Sequence, residues 1–272
     1  MPNTTLTALA AGTIQVGSLL VNRIGLGTNR IKDNAGAHEL LHRAVALGVN
    51  FIDTADMYQR HESESTIGHM LAPYPNGLVI ATKGGMHPMD YSVQNDPAYL
   101  RNAVEGSLER LKVSRIDLYQ LHRIDKAIPI ENTVGCLKRM QDEGKIRHIG
   151  LSDVTVEQIE RARKVAEIVS IQNEYNLLQR KHESVVEYCE LNGLAFIPWY
   201  PIVKGKPGEG VIERIAAVHK VTTVQIAIAW LLQRSPAMLP IPGTLSIEHL
   251  EANIAAASIQ LTPDEFAELS RI

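Results

Sequence analysis

The stretch LGVNFIDTADMY, residues 47 to 58, decides the fold by the way it ends. Phe51 and Ile52 continue an apolar run suited to a buried strand, and Asp53, Asp56 and Tyr58 follow at once. Acidic and phenolic groups belong at that point if the ends of several parallel strands converge on a site there.

Working outward, short apolar runs of the same kind recur: RIGLG (23–27), NFID (50–53), LVIATK (78–83), IDLYQLH (116–122), IRHIGLS (146–152), IVSIQN (168–173), LAFIPWY (194–200) and MLPIPG (238–243). Between and after them lie stretches with helical spacing, among them HELLHRAVALG, YLRNAVEGSLERL, ENTVGCLKRMQDEG and VQIAIAWLLQRS. Gly48, Gly144 and Gly193 stand where such helices should close. Strands alternating with helices make parallel β/α units, and eight of them suggest a closed (β/α)8 TIM barrel of class α/β. An open doubly wound sheet is the alternative; it usually carries G-x-G-x-x-G after its first strand, which GLGTN (25–29) lacks. Ahead of the first run, TIQVGSLLVN (13–22) reads as a hairpin around Gly17-Ser18 that plugs the bottom of the barrel. No linker-like or low-complexity segment interrupts the chain, so residues 1–272 are read as one domain.

The composition narrows the function. Of 272 residues, 45% are apolar and 21% charged, with a net charge of -3 and no Lys/Arg-rich block, so nucleic acid and anionic lipid are poor partners and a small molecule is the better one. VQIAIAWLL is too short to span a bilayer, and no basic segment precedes an apolar one at the N-terminus. Cys136 and Cys189 form neither a disulfide framework nor a metal motif, which fits a cytoplasmic protein, and we expect a monomer.

In a barrel, chemistry sits at the carboxyl ends of the strands. Asp53 and Lys83 end two of the runs, His122 ends a third, and Tyr58 follows Asp53 on a loop. Taken singly, Asp53 caps a turn, Lys83 is a solvated strand end and His122 is a core histidine; together they place four proton-handling groups on one rim. A phenol has a reference pKa near 10, and a neighbouring ammonium makes it a better acid by favouring the phenolate. Asp53 would hold Lys83 charged and aimed, while His122 would orient a carbonyl oxygen. The set delivers a proton but holds no hydride and no nucleophile. A metal-dependent hydrolase is disfavoured, because no H-x-H pair or carboxylate and histidine cluster lines successive strand ends.

LGVNFIDTADMY followed by SESTIG resembles the signature of the aldo-keto reductases, and ATKGG, LHR, IRHIGLSDV, IQNEYN and IPGT follow in the order that family shows. The resemblance implies a (β/α)8 barrel that binds NADPH, or NADH more weakly, without a Gly-rich fingerprint, and that reduces aldehydes or ketones. It assigns catalysis to Asp53, Tyr58, Lys83 and His122, and leaves Asp56 at a variable position. It gives Thr28, Asp53, Ser152, Asp153 and Gln172 to the cofactor, with Trp199 rather than Tyr200 stacked on the nicotinamide, and Gly243, Thr244, His249 and Asn253 at the adenosine phosphate. Asp153 stands where the family usually has Asn, and an aspartate cannot donate a hydrogen bond to the nicotinamide carboxamide. Gly243 and His249 stand where many members have Lys and Arg, which weakens the expected grip on the 2'-phosphate. IVSIQNEYN, WLLQRSP and IPGT are similar to short-tailed bacterial members that act on pyridoxal. The family also contains cofactor-binding sensor or regulatory subunits with slow turnover, which is the alternative function.

The rim connections RIDKAIPIE (123–131) and IVKGKPGEG (202–210) are brief, and the chain stops after LTPDEFAELSRI. The longest one, GGMHPMDYSVQNDP (84–97), offers Met86, His87, Met89 and Tyr91 as an adaptable apolar wall. These features predict an open site for aromatic aldehydes and bulky carbonyls.

Overall fold

Strands buried on both faces are written as nearly continuous apolar runs, and here they pair as parallel neighbours. The computed structural model describes residues 6–201 and 210–272. A hairpin of β1 (Thr13–Val16) and β2 (Leu19–Asn22) comes first. A seven-stranded parallel sheet follows in chain order: β3 (Leu26–Gly27), β4 (Phe51–Asp53), β5 (Val79–Gly84), β6 (Ile116–Leu121), β7 (Ile146–Ser152), β8 (Ile168–Gln172) and β9 (Ala195–Phe196).

The eighth expected strand, MLPIPG, forms only a bridge between Met238 and Phe196 rather than a full strand. Pro240 and Pro242 remove two of the N–H donors that a ladder needs. The segment still closes the barrel, because Leu239 N donates to Phe196 O at 2.9 Å and Gly25 N donates to Pro240 O at 3.0 Å. Arg23 reinforces the seam: its guanidinium reaches Leu232 O at 2.8 Å, Ser235 O at 2.6 Å and Met238 O at 3.2 Å.

The helices are α1 (Ala35–Ala46), α2 (Glu62–Leu71), α3 (Pro97–Leu111), α4 (Ile130–Asp142), α5 (Val156–Arg163), α6 (Glu183–Asn192), α7 (Val211–His219), α8 (Thr223–Arg234), α9 (Ile247–Ala255) and α10 (Pro263–Leu269). Capping boxes Thr155/Gln158, Thr222/Gln225 and Thr262/Glu265 start α5, α8 and α10. Gln225 through Leu231 of α8 are buried, and no single helix among the described residues is long and apolar enough to cross a membrane.

The inside of the barrel is a separate apolar cluster in which Val16, Leu19 and Val21 of the hairpin pack with Phe51, Val79, Leu118 and Leu239. The hairpin therefore plugs the amino-terminal end, as the sequence suggested. It is pinned there by His148, whose Nε2 accepts from Ser18 N at 3.1 Å. With that end filled, the open end is the one where β4, β5 and β6 finish. Of the rim connections, IVKGKPGEG lies outside the described residues except for Gly210.

Candidate active site

Asp53, the last residue of β4, is fully buried and so is Lys83 near the end of β5. Lys83 Nζ donates to Asp53 Oδ2 at 2.6 Å and to Thr54 O at 2.7 Å, so two acceptors fix its ammonium beneath the barrel mouth. A third contact runs to Tyr58 Oη at 3.4 Å, with Nζ 4.9 Å from the centre of the phenol ring. Removing one member of such a buried pair costs on the order of 3–5 kcal/mol, since it strands the other charge.

The loop that carries Tyr58 is held on both sides. Thr54 N and Asp56 N continue the ladder to Ala81 O at 2.8 Å and Lys83 O at 2.9 Å. Gln59, Arg60 and His61 then all take left-handed φ angles of 50, 56 and 76°, an unusual run for residues other than glycine that turns the chain into α2. Ser63 Oγ ties the start of α2 to Thr28 O at 3.0 Å, and Thr28 Oγ1 returns to Asp53 O at 2.9 Å. Tyr58 thus has little freedom. Its ring meets that of His122 edge-on at 5.9 Å.

The electrostatics differ in one respect from expectation. Burial pushes the Tyr58 phenol above its usual range; the Lys83 ammonium pulls it down, with the expected sign but the smaller effect. Burial also opposes the charge on Lys83, but Asp53 and Tyr58 outweigh it and leave Lys83 above its usual range. His122 is held well below the ordinary imidazole range by burial and then by the charges of Lys83 and Arg123, so it is neutral near pH 7. Its Nδ1 is buried without a hydrogen-bond partner among the described residues.

A cleft of about 400 Å3 opens above these groups. Thr28, Asp53, Tyr58, His122, Ser152, Gln172, Trp199 and Gly243 all border it, and both Trp199 and Tyr200 do. Lys83 lies beneath it, in contact with Tyr58. Asp153, Thr244, His249 and Asn253 do not border it, and neither do Met86, His87, Met89 or Tyr91. The 84–97 connection instead folds back on itself, with Met86 bridged to Val93 and Tyr99 Oη donating to Met86 O at 3.1 Å. Beyond Gly243, Thr244 Oγ1 accepts from Ser246 N at 3.0 Å, and Ser246 Oγ caps α9 by accepting from His249 N at 3.3 Å.

Four residues, Gln120, Gln172, Arg123 and Arg30, make contacts that the motifs do not announce. Gln120 and Gln172 both donate to Asp53 Oδ1, at 3.2 and 2.9 Å, so the carboxylate is held at both oxygens. Gln120 was findable: it shares a strand face with Leu118, which packs inside the barrel, and so its polar end had to find a partner there. Arg123 borders the cleft and pairs with Asp153 Oδ2. Arg30, also on the cleft, donates to Gly243 O at 3.0 Å.

The profile of the Aldo/keto reductase family matches residues 23–209 and 208–272. An uncharacterised oxidoreductase of Schizosaccharomyces pombe is 46% identical, with 96% of this chain and 90% of that protein aligned. The pyridoxine 4-dehydrogenase of Escherichia coli is 35% identical over 97% of this chain and 99% of its own. Among solved structures, an aldo/keto reductase from Klebsiella pneumoniae in complex with NADP and acetate superposes with a TM-score of 0.83 at 28% identity, covering 95% of this chain and 94% of that one.

Proposed function

Given that the chain belongs to the aldo/keto reductase family, we propose that it is an NADPH-dependent oxidoreductase that reduces aldehyde or ketone carbonyls to alcohols and runs in reverse with an alcohol and NADP⁺. The observation that carries this reading is the Asp53–Lys83–Tyr58 chain of contacts beside a neutral, unpartnered His122 at the floor of the cleft.

The cleft fits the cofactor. Its lining includes Arg30 and Gly243 as well as Tyr58 and His122, so a cation that phosphates can meet borders the same cleft. Ser152, Gln172 and Trp199 would hold the nicotinamide end, with Asp153 set behind them on Trp199 and Arg123, and Thr244, His249 and Asn253 would hold the adenosine phosphate end past Gly243, beyond the cleft itself. Bound there, NADPH supplies the hydride.

The protein supplies the rest. His122, being neutral, donates an N–H hydrogen bond to the carbonyl oxygen without surrendering its proton. Tyr58 gives its phenolic proton to that oxygen as negative charge develops on it, and the phenolate left behind faces the Lys83 ammonium. Asp53, braced by Gln120 and Gln172, keeps Lys83 charged and aimed. With Trp199 on the nicotinamide, the exposed ring of Tyr200 is the aromatic wall left on the cleft, and it favours flat, aromatic carbonyl substrates.

The test follows absorbance of reduced nicotinamide with a panel of aromatic and aliphatic aldehydes, and of NADP⁺ with the matching alcohols and pyridoxine. Turnover of aromatic aldehydes should fall about 10²- to 10⁴-fold in Tyr58→Phe, the range for loss of a general acid, with NADPH affinity nearly unchanged. Loss of less than tenfold would remove Tyr58 as the proton donor.

A further inference from the structure

An aspartate at 153 offers acceptors only, so a hydrogen bond usually made by the family's asparagine amide has no donor on that side chain. The structure also shows both carboxylate oxygens engaged. Oδ1 accepts from Trp199 Nε1 at 3.0 Å and Oδ2 pairs with Arg123 Nη1. The backbone of Asp153 is fixed as well, with φ at 53° and its N–H on Gln172 O at 3.1 Å. Arg123 is the other half of this assembly. Its Nη1 reaches His122 O at 3.0 Å and Ser152 Oγ at 3.3 Å, and its guanidinium lies 5.6 Å from the Trp199 ring centre. Among the described residues its hydrogen bonds all leave from Nη1, which keeps the Nε and Nη2 donors of a group that borders the cleft.

We propose that Arg123, braced by Asp153 and Trp199, supplies to the carboxamide oxygen of the nicotinamide the hydrogen-bond donor that position 153 has lost. This rests on the reading of the cleft as an NADPH site. Arg123 and Asp153 then act as one unit: the aspartate aims the guanidinium, and the guanidinium does what an asparagine amide would do. A charged donor forms a stronger bond to a carbonyl than a neutral amide does.

The experiment measures dissociation constants by calorimetry for NADPH and for its thionicotinamide analogue, in which sulfur, a weak acceptor, replaces the carboxamide oxygen. Arg123→Met should weaken NADPH by about tenfold to a hundredfold, the range for a hydrogen bond to a charged group, and the analogue by less than about threefold. Arg123→Lys, which keeps the charge and one donor group on a shorter side chain, should show a smaller loss with the same discrimination. Adding Asp153→Asn to Arg123→Met should recover part of the NADPH affinity, because an amide donor returns at position 153. Equal losses for both cofactors would make Arg123 a structural brace and overturn the proposal. So would unchanged NADPH affinity accompanied by a raised KM for carboxylate-bearing aldehydes, which would make it a substrate anchor. Absence of NADPH binding to the unaltered protein would instead sink the cofactor reading itself and this inference with it.

Discussion

Replacing Asp56 by asparagine should make the protein more stable at alkaline pH and leave it unchanged at acid pH. Asp56 is 1% exposed, its N–H is committed to Lys83 O at 2.9 Å, and its Oδ1 has no hydrogen-bond partner. Nearby Glu64 is fully buried and accepts from Thr82 Oγ1 at 2.5 Å and Arg110 Nε at 2.7 Å. The hydroxyl of Tyr119, also buried, lacks a partner among the described residues. Burial first, and the negative charge of Glu64 second, push the Asp56 carboxyl up to about 8, against the opposing charges of Arg110 and Lys83.

The sign follows from which state binds the proton. The folded pKa lies above the unfolded one, so between about pH 4 and pH 8 the native protein holds a proton that the unfolded chain has released, and stability falls as pH rises through that window. A shift from 3.8 to about 8 sets a ceiling of about 6 kcal/mol at ~1.4 kcal/mol per unit, of which about 4 kcal/mol falls between pH 5 and pH 9. Asparagine copies the neutral form and removes the loss. Urea unfolding of the two proteins from pH 5 to pH 9 measures it. The difference in unfolding free energy should be smallest at pH 5 and should grow by up to about 4 kcal/mol in favour of Asp56→Asn by pH 9. A cost from packing the amide would shift all pH values alike. A difference that stays constant across the range would refute the reasoning.

Because burial, Lys83 and Arg123 keep His122 neutral, the turnover rate for carbonyl reduction should be flat from about pH 6 to pH 8; an inflection near 6.5 that disappears in His122→Gln would show that the imidazole does titrate there. His249→Ala should raise the KM for NADPH more than that for NADH; equal effects on both cofactors would separate His249 from the 2'-phosphate. Gly84→Ala should lower the melting temperature and turnover together, since a Cβ there would meet Tyr119 Oη at 1.9 Å beside Lys83. An unchanged melting temperature would mean that the Tyr119 ring moves aside freely.

The barrel was legible because its signals are local and repeated. An apolar run followed by a helical period identifies a β/α unit wherever it falls, and the polar residues that end NFID and LVIATK mark the open rim without any knowledge of partners. The eighth strand was misjudged for an equally local reason: the hydropathy of MLPIPG outvoted Pro240 and Pro242, whose missing N–H groups leave a bridge in place of a ladder. The 84–97 connection was misjudged for a reason no hydropathy pattern contains. Met86 and Tyr91 are apolar enough to line a pocket, but the return pairing of Met86 with Val93 decides where they go.

What the sequence could not disclose was competition between effects of opposite sign at one atom. Lys83 next to Tyr58 was correctly read as acidifying the phenol, but the same burial that brings the two together raises the phenol further than the ammonium lowers it. The consequence bears on the chemistry. With its pKa raised, Tyr58 stays protonated throughout the neutral range, which is the state the proposed proton donor requires, and in that proposal Lys83 acts when the phenolate forms. Asp153 shows the same limit from the other side. Read alone, it is an aspartate with no donor to offer; read with Arg123 and Trp199, it is the acceptor that holds a charged group at the cleft. Substitution at one position therefore predicts loss only if its neighbours are unknown, and Arg123 directly after His122 in LHR was the neighbour that the motif already contained.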